Sequence, residues 1–591
     1  MRLTAPLYSL LCAATVFGAS YEDWQRRSIY QLVTDRFATS DGSSPACNTS
    51  ARQYCNGTWQ GVISKLDYIQ NMGFDAIWIS PIVANLAGDT GDGAAYHGYW
   101  TVDQTSLNDH FGTDGDLKLL STTLHEHGMF LMVDVVVNHM AAPLLTGTMN
   151  SSDPSAPAPA VNYAAFTPFN NESSFHPFCW ITDDANQTDV EQCWLGDAAV
   201  PLADVDTENP DVVAFFNSWI ADLVTTYGID GLRIDTVRNV RKDFWPAFAQ
   251  SADVWSIGEV YDGDVAYVAN YSEVLDAVLD YPSFYPLTRG FQNSSGDLTQ
   301  LAASVGDAQH AYRLGTFMTG SFLENQDNPR FPSLTTDQSL IVNAMTWVFV
   351  QDGVPILYYG QEQGYAGADD PYNREALWLS GYEEDKPLVV HVRALNAARK
   401  AAIAWDNATF LGTPVSRVVS LLPASRAEPS AGGVPRGLRV PACGVEAAAP
   451  RAPHERRRVV LAELVRPPAT NYTKGDELID VLSCSTTKGR RLGRGGVDGE
   501  FGHACGTSDT VGRRNSCVRV DVEADMGCGV QVLLPTSVFN ASYCNALKND
   551  ISGDTGSPWV AQSAGEELRL STAGTLVAAS LTILVFAVWM A

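Results

Sequence analysis

From about residue 28 to residue 360, short runs of apolar and β-branched residues alternate with stretches whose apolar positions recur at helical spacing. Residues 28–34, 76–80, 130–137, 231–235, 254–259, 314–324 and 354–360 read as strands, and 63–72 carries a helical pattern. The run 130–137 is apolar almost without interruption, as a strand covered on both faces requires. Such alternation predicts a parallel sheet wrapped by helices. About eight such strands close most naturally into a (β/α)8 TIM barrel.

Two departures divide the chain further. About seventy residues separate the strand that ends near His139 from the helix that starts near Asp211, far beyond an ordinary βα loop. That stretch predicts an inserted domain, 140–200, after strand 3. The barrel rhythm stops near Trp405. A C-terminal β domain, a β-sandwich, is expected over 406–550, leaving the barrel as 21–139 and 201–405. Within it, 417–466 holds nine Arg and no Lys in Ala-, Pro- and Gly-rich sequence. A disordered linker explains this aberrant segment, and so does an error of reading frame.

Both ends read as addresses. Residues 1–20 combine Arg2, an apolar run and small residues before Tyr21, the layout of a secretory signal peptide. Residues 551–591 read as a linker and a GPI-attachment signal: small residues Ser563-Ala564-Gly565, a polar spacer, then an uncharged apolar tail from Ala573. Ser563 is the expected attachment site, and a membrane-spanning tail anchor is the rival. Ten Asn-x-Ser/Thr sequons fit a secreted chain. With Cys12 in the signal peptide, ten cysteines remain. Cys47 with Cys55, and Cys179 with Cys193, would each close a short loop, whereas the six between Cys443 and Cys544 admit fifteen pairings.

Composition narrows the function. Hydrophobic residues make up 45% of the 591 and charged residues 18%, which is globular. The net charge of −29 argues against a nucleic-acid partner and is indifferent to a neutral polysaccharide. Barrel chemistry sits where strands end, and four predicted strands end in polar groups. These are Asp134 through Asn138-His139, Arg233-Ile-Asp235, Gly258-Glu259, and Glu324-Asn325-Gln326-Asp327. Paired carboxylates on one rim suit glycoside cleavage: one ionised to attack the anomeric carbon, one protonated to release the leaving oxygen.

In order and spacing these four segments resemble the sequence regions of glycoside hydrolase family 13, the α-amylase family. The likeness to secreted fungal α-amylases runs from about Asp23 to Trp405. It implies that Asp235 is the nucleophile, Glu259 the general acid/base and Asp327 the third, substrate-distorting carboxylate. It further implies sugar contacts at Tyr99, Trp100, His139, Arg233, Arg238, Asn239, Gln326, Asp370 and Arg374. Asn138, Glu191, Asp204 and the Asn239 carbonyl match the family's ligands to a structural Ca²⁺, an oxygen set that suits the ion. Arg238-Asn239 stands where the fungal enzymes carry Lys-His, and Gln326 where they carry His. Neutral amides give weaker hydrogen bonds than an imidazolium. The expected activity is therefore cleavage of α-1,4-glucan or maltooligosaccharide through a covalent intermediate. Transfer to a second glucan, a 4-α-glucanotransferase reaction at the cell wall beside a GPI-held plasma membrane, competes with ordinary hydrolysis. A catalytically dead glucan-binding protein is the remaining alternative.

Overall fold

The computed structural model describes residues 19–144, 159–293 and 295–412, together with four strands further on. Eight parallel strands close a barrel. They are β1 (Ile29–Gln31), β2 (Ala76–Ile79), β3 (Phe130–Val135), β4 (Gly231–Ile234), β5 (Trp255–Gly258), β6 (Ala277–Leu279), β7 (Thr319–Ser321) and β8 (Val354–Tyr358). Each pairs with the next in sequence, and β8 returns to β1. The chain is thus an α/β protein built on a TIM barrel, as the alternation of strand and helix patterns predicted.

Most expected strands are shorter than their patterns, β1 among them, and two expected elements break within them. The helix over 63–72 breaks at Lys65 into Trp59–Ser64 and Leu66–Asn71. The strand expected over 314–324 is a 3-10 turn, Gly315–Met318, followed by only three strand residues. An apolar run buried on every side carries no periodicity to separate the two conformations. Strand β6, also three residues long, was not anticipated.

Inside the barrel the inward positions change character along each strand. Met132 precedes Asp134 on β3, and Ile257 on β5 precedes Glu259, which follows the strand. Gly231 and Arg233 on β4 lead to Asp235 in the same way. The side-chain period of two puts each series on one face. The N-terminal end is sealed by Trp24, which stacks on Trp255 at 5.0 Å and donates from its indole to the Asp230 carbonyl (3.1 Å). A Cβ at Gly231 would lie 2.5 Å from the Trp24 ring, so glycine here is what admits the plug. With Ile29, Ala76, Met132, Ile257, Leu279 and Ile356 it forms a closed apolar floor beneath the polar rim. A larger apolar layer joins the barrel's outer face to the helices. These include α1 (Asp114–Glu126), α2 (Pro210–Tyr227), α3 (Val265–Ser272), α4 (Tyr281–Phe291), α5 (Thr299–Ala311), α6 (Gln338–Val350) and α7 (Pro387–Phe410).

The insertion after β3 holds a three-stranded antiparallel sheet, His139–Ala141, Leu195–Gly196 and Pro201–Asp204. Cys179 and Cys193 are bonded within it, and Cys47 and Cys55 are bonded on the β1 side of the rim. Beyond the barrel, Glu477–Asp480, Ser485–Arg491, Val518–Val520 and Leu533–Pro535 form one antiparallel sheet. The signal peptide up to residue 18, the 417–466 segment, Ser563, the apolar tail and the six C-terminal cysteines lie outside the described residues. Among the described residues no helix is long and apolar enough to cross a membrane. The sequon asparagines Asn48, Asn56, Asn171, Asn186, Asn270 and Asn293 are all exposed, which leaves them open to glycosylation.

Candidate active site

At the C-terminal rim, the guanidinium of Arg233 is the hub. It lies within 2.6 Å of Asp235 Oδ1, 3.0 Å of Glu259 Oε1 and 2.9 Å of Asp134 Oδ1. Arg233 is 1% exposed, so water screens none of these pairs well. Asp134 is fixed from the other side by Trp78 Nε1 (3.1 Å) and the Tyr99 hydroxyl (2.8 Å). Burial lifts the Asp134 carboxyl to about 7, with Arg233 pulling it back. Tyr99 accepts in turn from Gln326 Nε2 (3.1 Å), whose carbonyl oxygen is met by Gln31 Nε2. A continuous string therefore runs Gln31, Gln326, Tyr99, Asp134, Arg233, Asp235.

The two central carboxylates have unlike surroundings. Thr236, just past β4, holds φ 47°, a left-handed conformation rare for a β-branched residue. In that conformation its N–H donates to Glu259 Oε2 (3.1 Å) while its hydroxyl donates to Asp235 Oδ2 (3.1 Å). Glu259 is 5% exposed and takes a further hydrogen bond from the Tyr281 hydroxyl (3.3 Å). Burial raises its pKa; Arg233 opposes this, while the charge of Asp235 and a direct side-chain contact with it raise it further. One group is thus pushed toward protonation beside another that is ion-paired, the division of labour that acid-assisted displacement needs.

Asp327 sits at the cleft mouth with its side chain one third exposed. Desolvation by the surrounding walls, with the charge of Glu259, lifts it to about 6. Arg374 Nη2 stands 3.5 Å from it, and the same arginine pairs with Asp370 at 2.9 Å. His139, 2% exposed, contacts the Tyr99 carbonyl through Nε2 (3.2 Å) and is pushed down to about 4 by burial. It is a neutral imidazole at pH 7. Tyr99 and Trp100 are half-buried at the same edge.

The two residues that stand in place of Lys-His point differently. Arg238 bridges Asp184 of the insertion to the Tyr261 carbonyl (3.1 Å), across one edge of the cleft. The Asn239 amide donates to the Val190 carbonyl (3.2 Å) in the insertion, so its side chain is engaged there. Sequence reasoning passed over Gln31, Trp78, Thr236 and Tyr281. Gln31 alone left a trace, a polar residue in the middle of the run read as a strand over 28–34.

A cation site is also assembled. One end of the Asn138 carboxamide faces the Asn239 carbonyl oxygen at 2.8 Å and Asp204 Oδ1 at 3.2 Å. With nitrogen there, these are two hydrogen bonds; with oxygen there, three oxygens converge as they do around a hard cation. Glu191 adjoins Val190, the acceptor of Asn239. His176 lies alongside, its Nδ1 2.6 Å from Asp204 Oδ2, and with Asp206 and Glu208 it brings ligand atoms within 4.8 Å of one another. The donor set fits Ca²⁺.

The family model for the α-amylase catalytic domain matches residues 31–412, from the last residue of β1 through the other seven barrel strands. The chain belongs to the α-amylase family. It is 50% identical over 400 residues to alpha-amylase 1 of Lipomyces kononenkoae, covering 68% of this chain and 62% of that protein. To an alpha-amylase of Saccharomycopsis fibuligera it is 42% identical over 472 residues, covering 79% and 88%. A solved α-amylase from Malbranchea cinnamomea superposes with a TM-score of 0.70 at 38% identity, over 89% of this chain and 99% of the other. Membership of this family makes the arginine-linked carboxylates of the rim the place to look for glycoside chemistry.

Proposed function

We propose that this chain cleaves α-1,4-glucosidic bonds of starch-like glucan with retention of configuration. The observation that carries the reading is that Asp235 and Glu259 sit side by side on one guanidinium, 2.6 Å from Arg233 Nη1 and 3.0 Å from Arg233 Nη2. Retaining enzymes set their two carboxyls about 5–5.5 Å apart and inverting enzymes about 6.5 Å or more, and two carboxylates sharing one guanidinium suit the closer spacing. Asp235, ion-paired to Arg233, attacks the anomeric carbon as the glycosidic bond breaks. Glu259, whose pKa burial raises, gives its proton to the leaving oxygen. A covalent glycosyl–Asp235 ester results, and Glu259, now ionised, takes a proton from the incoming hydroxyl as that ester is displaced. Asp327, with Arg374, faces the ring hydroxyls of the sugar being distorted. His139 and Tyr99 hold the same sugar, one by a neutral hydrogen bond and one by its ring.

The incoming hydroxyl decides between hydrolase and transferase. Gln326 is tied to Gln31 and Tyr99, and Asn239 to Val190, so neither supplies the cationic donor of the fungal amylases. Losing one such donor at a transition state costs about two to three orders of magnitude when nothing replaces it. We therefore assign low hydrolysis and appreciable 4-α-glucanotransfer, on a secreted chain with a GPI signal that directs it to the cell wall. Incubated with maltoheptaose, the purified protein is expected to give products both shorter and longer than seven sugars. Chromatograms showing only shorter maltodextrins would leave it an ordinary hydrolytic α-amylase.

Asn138, Glu191, Asp204 and the Asn239 carbonyl would hold Ca²⁺, which would clamp the insertion to the barrel and supply no chemistry of its own. Removing calcium with EGTA is expected to lower the melting temperature by several degrees, with recovery on adding Ca²⁺ but not Mg²⁺. An Asp204→Asn variant should show a smaller calcium-dependent rise. An unaltered melting curve after chelation would remove the metal from the account.

A further inference from the structure

A groove of about 810 Å³ lies between α3, α4 and α5, outside the carboxylate cluster. It begins at Gly263, four residues past Glu259, and runs along α5 from Gln300 to Ala311. At 1.5 Å per residue that is about 16 Å of helix. An aromatic path connects it to the reaction centre. Tyr281, which donates to Glu259, packs at 4.7 Å against Tyr261 and 6.0 Å from Tyr285. The Tyr261 hydroxyl donates to Asn328 Oδ1 (3.5 Å). Tyr261 is 43% exposed, so this path reaches the surface. Gly263 lies flat on the Tyr285 ring, its virtual Cβ 3.0 Å away, so any side chain there would crowd the groove entrance.

The lining suits a carbohydrate. Tyr285 offers a ring face, and Arg289, Gln300, Asp307 and His310 offer donors and acceptors of both signs. Arg289 and Gln300 already hydrogen-bond at 3.2 Å across the gap between α4 and α5. Aromatic platforms flanked by paired polar groups recognise a ligand that is rich in hydroxyls and carries no charge.

We infer that this groove is a secondary glucan site that holds the strand leaving the cleft on the Glu259 side. The inference rests on the reading of Glu259 as proton donor. The proton donor faces the leaving oxygen, so the leaving or acceptor chain emerges on its side, where the tyrosines lead outward. A long glucan gains contacts in the groove that a short oligosaccharide cannot reach. In a transfer reaction the same contacts would hold the acceptor while water is the competitor.

The test uses the full chain carrying Arg289→Ala together with Asp307→Ala, both exposed positions remote from the carboxylates. Steady-state kinetics are compared on maltopentaose and on long amylose. The KM for amylose is expected to rise about three- to tenfold, as loss of such contacts implies, with kcat/KM for maltopentaose held within about twofold. An unchanged amylose KM, or equal losses on both substrates, overturns the groove as a glucan site. Failure of the unsubstituted chain to cleave either substrate would instead refute the catalytic reading on which it rests.

Discussion

Asp235→Asn is expected to lower turnover of soluble starch by about four orders of magnitude or more, the scale seen when an enzyme loses its nucleophile. Two losses combine. The amide cannot form the covalent ester, and it removes the negative charge that helps raise Glu259. With that charge gone, Arg233 draws Glu259 toward its ionised form, so the acid fails as well. The fold should survive, because the Asn side-chain oxygen still accepts from Arg233 at the position now 2.6 Å away. The check is reducing-sugar release measured beside a thermal melt. Near-native activity in a folded variant would remove Asp235 from the reaction.

Glu259→Gln should cost about three orders of magnitude on starch, within the range for losing a general acid. The substrate and pH dependence carry the sharper prediction. Glycosylation needs Glu259 protonated, and its pKa is raised by burial and by Asp235. The rate of the native chain therefore falls as pH climbs through that raised value. Glutamine does not titrate, so this alkaline limb should vanish. A maltosyl fluoride, whose leaving group needs no proton, should recover a large part of the glycosylation rate. Equal losses on fluoride and starch, with the alkaline limb intact, would place the acid elsewhere.

The sequence made the barrel and the carboxylates legible for one physical reason. A strand buried on both faces is apolar, so a polar residue at its end stands out. Asp235, Glu259 and Asp327 were found that way, and the structure brings them to one rim with Arg233 among them. The short strand β6 escaped because three residues, Ala277–Leu279, carry no readable period. With it went Tyr281, the hydrogen-bond donor to Glu259 and the first step toward the groove. Thr236 was invisible because its role lies in a backbone dihedral and not in its chemistry. Asn239 marks a different limit. Its identity announced a lost histidine, but its partner, the Val190 carbonyl, lies in the insertion far away in sequence.

Retention at Asp235 is the central claim, and proton NMR of maltoheptaose cleavage tests it most directly. Recorded before mutarotation, the newly formed reducing ends should carry the α-anomeric signal, with β appearing only later. A first product in the β configuration would mean direct attack by water, and would contradict a covalent intermediate on Asp235.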